Sequence, residues 1–352
     1  MIDIINKLYS RIGRPVNFME VCGTHTVAIF RHGIRSILPE GLRLLSGPGC
    51  PVCVTSIKDV DTAIAIAQKK DAILTTFGDM MRVPGGKQSL MEIRAEGADI
   101  RIVYSPLDSL KIAMENKDKK VVFFSAGFET TSPSTAATVS EAERMGIPNY
   151  YLFSVHKVVP PALEALLVSG DVRIDGFILP GHVSTIIGTN PYKFIPQKYS
   201  IPCAVTGFEV KDILGGIAIL LKQIIEGQAS VEIEYKTVVK EEGNPKAIQF
   251  INDVFEPCDS YWRGIGLIPG SGLRLKDKWQ HRDAEMVYDL EVPEVAEPKG
   301  CMCGLVLKGI KMPSECPLFA KVCNPDKPVG ACMVSSEGSC AAYYRYRGLL
   351  ES

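Results

Sequence analysis

Between Val16 and Glu226 the chain alternates short aliphatic or β-branched runs with longer helical patterns, and this rhythm leaves few folds open. The runs "VNFMEV", "LRLLS", "AILTTF" and "IRIVY" form one set, and "KVVFFS", "YYLFSV", "DGFILP" and "IPCAVT" a second. Strands this continuously apolar are buried on both faces, as in parallel sheets covered by helices. The helices are supplied by "SIKDVDTAIAIAQKK", "TSPSTAATVSEAERMG", "PPALEALLVSG" and "EVKDILGGIAILLKQIIEG". The expected class is therefore α/β, with two similar parallel-sheet domains and a smaller C-terminal domain. The first set ends near Asn116, which places the first domain, with an N-terminal helix, at 1–118 and the second at 119–228. From 229 to 352 the pattern changes: "VEIEYKTVV" suggests one strand, and Gly, Pro and Trp punctuate the irregular segments after it. The stretch "VVKEEGNPKAIQF" reads as solvated surface.

Composition narrows the function classes. A chain of 352 residues, 46% hydrophobic with net charge −1, can bury large cores but has no basic excess for a nucleic-acid backbone. Its apolar stretches are too short or too interrupted to span a bilayer, and the N-terminus lacks a signal-peptide pattern. The expectation is a cytoplasmic protein with no nucleic-acid or membrane partner. In that reducing setting eleven cysteines point to metal binding or redox chemistry rather than to a disulfide framework. Cys203 and Cys258 stand alone and read as small buried hydrophobes.

The strand-to-helix turns carry unusual residues. The turns "CGTHT", "GPGCPVC" and "FGDMMRVPGG" belong to the first set, and "SAGFETT", "SVHK", "PGHVS" and "TGFEV" to the second. Each combines a Gly or Pro bend with Cys, His, Asp or Glu, as a site assembled from several strand ends requires. Helix capping explains Thr24 and Thr130 well enough. It explains less well why His25, His156 and His182 occupy such turns when the chain has five histidines.

Cys22 opens a predicted helix, where the helix N-terminus and a neighbouring imidazolium would lower its pKa and make it a nucleophile or metal ligand. A buried cysteine closing a strand reads equally well. Cys50 and Cys53 have the spacing of a thiol-disulfide couple and would also serve as half of a tetrathiolate zinc site, although no second C-x-x-C exists. Cys301, Cys303, Cys316, Cys323, Cys332 and Cys340 crowd the last 52 residues. Soft thiolates in a Pro- and Gly-rich segment favour a [4Fe-4S] cluster with a spare thiol pair over independent zinc or disulfide sites.

The motifs "MEVCGTH", "SGPGCPVC", "FGDMMRVPG", "GFETT", "PGHVS" and "CPLFAKVC…PVGACMVSSEGSCAAYYRY" resemble, in this order, those of the HypD family of hydrogenase maturation factors. The family signature C-x14-C-x6-C-x16-C falls on Cys301, Cys316, Cys323 and Cys340, which the resemblance implies are the cluster ligands. Cys303 and Cys332 are then the extra pair, in an arrangement similar to that of ferredoxin:thioredoxin reductase. The resemblance further implies a scaffold for the Fe(CN)2CO unit of [NiFe]-hydrogenase. It would act with HypC and receive cyanide from HypE, with HypF upstream, and would be a monomer when free. Cys22 would hold the transient iron that carries cyanide and CO, together with a cysteine of HypC, and Cys50 and Cys53 would be the nearby dithiol. His182, His25, Asp79, Glu129 and His156 would line the cleft. The rival reading is a self-contained, cluster-dependent thiol-disulfide oxidoreductase.

Overall fold

The computed structural model describes residues 1–349. Its strands are β1 (Val16–Glu20), β2 (Leu42–Ser46), β3 (Ala72–Thr76), β4 (Ile100–Ile102), β5 (Lys120–Ser125), β6 (Tyr150–Ser154), β7 (Gly176–Pro180), β8 (Cys203–Thr206), β9 (Val231–Ile233), β10 (Phe255–Trp262) and β11 (Gly266–Leu275). All eight runs named from the sequence are strands, and both large sheets are parallel. The expected α/β class, with a small cysteine-bearing C-terminal region, is what the chain adopts. Among the described residues no helix is long and apolar enough to cross a membrane.

The division into consecutive domains at 118 and 228 does not match the sheets. One sheet has the order β2-β1-β7-β8-β9 and the other β4-β3-β5-β6, so residues 72–154 are inserted between β2 and β7 of the first sheet. Position 118 falls within the second sheet, and 228 cuts β9 from its partner β8. Local periodicity reports that a segment is a buried strand; it does not report which strand lies beside it, because pairing is decided by contacts far apart in sequence.

The nest closes where β1 pairs with β7, Phe18 opposite Gly176. Glycine is needed there, since a Cβ on Gly176 would stand 2.9 Å from the Phe18 ring. Asp175 fixes the junction by accepting from Arg14 Nη1 at 2.8 Å and from the Asn17 backbone N–H at 2.9 Å.

Among the described residues the C-terminal region shares its core with the first sheet. Phe319, Cys332, Met333 and Cys340 pack into the same apolar cluster as Met19, Phe177 and Leu179 of the first sheet. The antiparallel β10-β11 hairpin, read from the sequence as irregular, clamps the second sheet: the Val158 N–H donates to Ser271 O at 2.9 Å and the Leu273 N–H to His156 O at 3.1 Å. The "VVKEEGNPKAIQF" stretch is not simply solvated either. Val239 is buried, the Thr189 N–H donates to Glu241 O, and residues from Pro245 form a helix to Val254.

A buried cation ties these parts together. Lys157 is 1% exposed, donates to Ser260 Oγ at 2.8 Å and lies 3.6 Å from Asp59, which also caps the helix Ile57–Ala67. Replacing Lys157 by Met leaves a carboxylate that water still reaches, whereas Asp59→Asn keeps the cap and strands an ammonium in the core. Urea denaturation should therefore show Lys157→Met near neutral and Asp59→Asn destabilised by about 3 kcal/mol. Burial already pulls the Lys157 pKa down, so the Asp59→Asn loss should shrink as pH rises and the lysine gives up its proton.

Candidate functional site

In a parallel sheet all carboxyl ends lie on one edge, and a crevice opens where successive crossovers leave in opposite directions. That point lies between β1 and β7 in the first sheet and between β3 and β5 in the second. Both crevices open on one cleft of about 720 Å³, walled by Cys22, Cys50, Asp79, Gly127, His182 and Glu337.

Cys22 lies two residues beyond the end of β1 and is the extended N-cap residue of the helix Gly23–Arg31. The turn "GPGC" is knitted against it. The Gly23 N–H donates to Gly49 O at 3.0 Å, and a Cβ on Gly49 would collide with the Val21–Cys22 backbone, so only glycine lets the two turns close. Pro51 then starts the short helix Pro51–Val54 at the position where its missing N–H costs nothing. Cys50 faces the cleft and Cys53 lies behind it, almost fully buried.

From Cys50 a series of sulfurs runs through the core and out to the half-buried Cys303 and Cys301. Cys53 stands beside Cys50 and Cys332, Cys332 beside Cys303 and Cys340, and Cys303 beside Cys301. Every cysteine in the described chain is a free thiol. The segment between Cys332 and Cys340 bends into the cleft, where Ser335 donates to Asp79 at 3.1 Å and Glu337 accepts from the Thr24 hydroxyl at 2.9 Å.

A protein-family model labelled HypD and described as "Hydrogenase formation hypA family" matches residues 1–347. The chain belongs to the HypD family. It is 47% identical over 353 residues to the hydrogenase maturation factor HypD of Rhodobacter capsulatus, covering 98% of this chain and 94% of that protein. Against the hydrogenase maturation factor HypD of Escherichia coli it is 48% identical over 337 residues, 95% of this chain and 90% of that one. The HypD of Cupriavidus necator is 45% identical over 345 residues, 96% and 91% of the two chains. Hydrogenase maturation is thus the process in which this HypD-family chain takes part.

The cleft gathers Cys22, Cys50, Asp79 and His182, but not the other residues expected to line it. His25 lies beneath it, its Nε2 paired with Gly207 O and Thr206 Oγ1 at 2.9 Å each, and burial drives its pKa down to about 4. His156 contacts Thr131 and Ser125 in the interior and is pushed down to about 3 by burial and by Lys157. Glu129 is buried behind the wall with its Oε1 on the Val159 N–H. The expected low pKa of Cys22 is also reversed. Burial, then the Glu337 carboxylate, raises the thiol to about 12, more than the N–H groups of His25 and Thr24 lower it. His25, being neutral, supplies no imidazolium. Two acidic residues escaped the sequence reading. Glu337 is the sole carboxylate between Cys332 and Cys340, and Glu20, fully buried at the end of β1 two residues before Cys22, accepts from Thr26 Oγ1 at 2.6 Å and from the Cys22 N–H at 3.3 Å.

The C-terminal cysteines suit an iron–sulfur cluster in donor chemistry. They are all sulfur, with no histidine among them, and the Cys323 sulfur accepts a backbone N–H from Val329 at 3.4 Å, the kind of hydrogen bond that tunes a cluster thiolate. Cys301 and Cys303 both press on Gly330, leaving no space for a Cβ there. Among the described residues no three or more His, Cys, Asp or Glu side chains are placed to hold a single ion. A cluster with its own sulfides takes its thiolates from farther apart than one ion does.

Glu20 and Glu129 are both raised by burial to about 7 from the usual 4.5. In the folded state each keeps its proton over a pH range where the unfolded chain has lost it, so stability should fall as pH rises from about 4.5 to about 7 and then level off. Glu20→Gln removes one contribution; urea denaturation at pH 5 and pH 8 should find the decline smaller by about 3 kcal/mol in that variant.

Proposed function

We propose that this chain is the scaffold on which the Fe(CN)2CO unit of [NiFe]-hydrogenase is assembled. It would act in complex with HypC and receive cyanide from HypE, with HypF upstream. The observation that carries the reading is that Cys22 and Cys50 open on one cleft, while neighbouring sulfurs lead from Cys50 back to the C-terminal cysteines. The iron is cargo. Cys22 would hold it together with a cysteine of HypC, since low-spin iron bearing cyanide takes soft anionic ligands.

The surroundings of Cys22 suit that task. Burial and Glu337 oppose a bare thiolate, yet the same carboxylate favours a thiolate that carries a bound cation, so the sulfur would be anionic only when loaded. His182, whose pKa burial lowers, would offer a neutral ring to ligands on the iron. Asp79 and Ser335 hold the opposite wall, and Glu20 orients the Cys22 backbone from below. Cys301, Cys316, Cys323 and Cys340 would hold a [4Fe-4S] cluster, which when bound supplies electrons one at a time. Cys303 and Cys332 would stand between it and the Cys50/Cys53 dithiol.

The proximity of Cys53 to Cys332 also favours the rival reading, a thiol-disulfide oxidoreductase fed by the cluster. Titration with iron and HypC separates the two: a scaffold retains iron in the complex, whereas a reductase works without either.

Anaerobic purification with HypC, from cells making all other maturation factors, should yield infrared bands of cyanide and CO. Cys22→Ala should erase the cyanide bands and leave the brown chromophore and the fold intact; bands that persist would sink the assignment of Cys22. Cys50→Ser removes one half of a redox couple, so hydrogenase activity in cells lacking the wild-type protein should fall to background, and near-normal activity would reduce "GPGCPVC" to a structural turn.

The cluster ligands have their own test. Cys316→Ala or Cys323→Ala should lose the chromophore and the bound iron and sulfide, whereas Cys203→Ala, in the core of β8, should keep both. A Cys323→Ala protein retaining four irons per chain would show that the ligand set is misassigned.

A further inference from the structure

A second cavity, of about 340 Å³, lies where the tip of the β10-β11 hairpin meets the start of the helix Ile57–Ala67. It shares no wall residue with the cleft. Its walls include Ile57 and Lys58 from the helix, Arg263 from the hairpin tip, and Glu294 and Glu297 from the segment that leads to Cys301.

Arg263 is a rigid donor with one hand free. The residue is 3% exposed, its backbone N–H donates to Val54 O at 2.9 Å, and Nη1 donates to Pro84 O at 2.9 Å. Nη2 has no hydrogen-bond partner. In a planar guanidinium Nη2 shares an edge with Nε, and that edge matches the two oxygens of a carboxylate or a phosphate. Nε reaches Glu297 Oε2 at 3.3 Å, so the edge is turned toward a wall of the cavity, yet the glutamate fills only half of it. A buried charged donor left unpaired is rare in a folded chain.

The helix start adds donors on the other side. The capping box between Ser56 and Asp59 uses the N–H groups of those two residues and leaves the N–H groups of Ile57 and Lys58, the first of an eleven-residue helix whose N-terminus favours negative charge. Lys58 also brings an exposed ammonium. The cover is loosely held. Residues 290–297, "LEVPEVAE", make no backbone hydrogen bond among the described residues, and side chains fasten them instead: Val295 rests on Gly86 and Glu297 on Arg263. Both carboxylates at the cavity sit on this cover. Once it moves aside, the charges left there, on Arg263, Lys58 and the helix N-terminus, are all positive.

We infer that this cavity is a binding site for a small oxyanion, a carboxylate or a phosphate, and that Glu297 is its internal stand-in. The occupant takes both Nε and Nη2 of Arg263, accepts from the N–H groups of Ile57 and Lys58, and displaces residues 294–297 from the rim. The volume, at the low end for small-molecule pockets, leaves room for a short organic body beside the anionic group, against Tyr261 and Trp262. No cysteine and no cleft residue enters this inference, so it stands apart from the scaffold reading.

Ligand-observed NMR on the full-length protein tests it, with line broadening of inorganic phosphate in one arm and saturation transfer to acetate in the other, both at constant ionic strength set with chloride. At least one ion should bind, and the tighter of the two tells whether the ligand carries a phosphate or a carboxylate. Glu297→Ala should bind it about tenfold tighter than the wild type, because the competing carboxylate has gone. Lys58→Ala should bind it about fivefold more weakly. Both residues are exposed, so neither change threatens the fold. Arg263→Met should abolish binding; should that variant fail to fold, the two exposed substitutions still decide. If neither ion binds, or if Glu297→Ala and Lys58→Ala leave the affinity where it was, Glu297 is an ordinary ion-pair partner and the inference is overturned.

Discussion

The pairing of β1 with β7 is the contact on which the rest depends. It joins two strands some 160 residues apart in sequence, and by doing so it places the turn bearing Cys22 beside the turn bearing His182. The chain between them carries the whole second sheet, whose carboxyl-terminal turns open on the same cleft. Turn residues scattered from 22 to 186 become neighbours through a single register, held by the Phe18–Gly176 approach and by Asp175.

Burial decides the electrostatics of the cleft. A helix N-terminus and its N–H groups would ordinarily favour a thiolate at Cys22, but removal from water outweighs them, and Glu337 adds to the opposition. The same desolvation holds Glu20 and Glu129 half-protonated near neutrality and keeps His25 and His156 uncharged. The Cys22 thiol and the two buried carboxyls therefore keep their protons to higher pH than exposed groups would, while the two histidines give theirs up sooner.

Much of this was legible in the sequence. The eight strands and their helices follow from periodicity, and Gly, Pro, Cys and His in the turns marked the strand ends that meet at the cleft. What was not legible had non-local causes. Sheet membership is invisible in alternation, since every β-α-β unit presents the same pattern whether its strand joins one sheet or the other. His25 shares its turn with Cys22, and the turns holding His156 and Glu129 resemble that of His182, but the depth of a side chain depends on what packs over it, in these cases Phe208, Phe255 and the helix Val159–Ser169. Glu337 was in plain view between two cysteines, but only the bend of its segment into the cleft gives it meaning.

The insertion of one sheet into the other also orders events at the ribosome. β1 and β2 emerge first and have only each other until β7 follows about 130 residues later, a wait on the order of ten seconds at ordinary rates of synthesis. Residues 72–154 hold every strand of their own sheet and can pair within that interval. Cys22 stays unsheltered throughout, and the last wall of its cleft, Ser335 and Glu337, arrives only when the chain is nearly finished. A nascent or truncated chain thus lacks the closed cleft altogether.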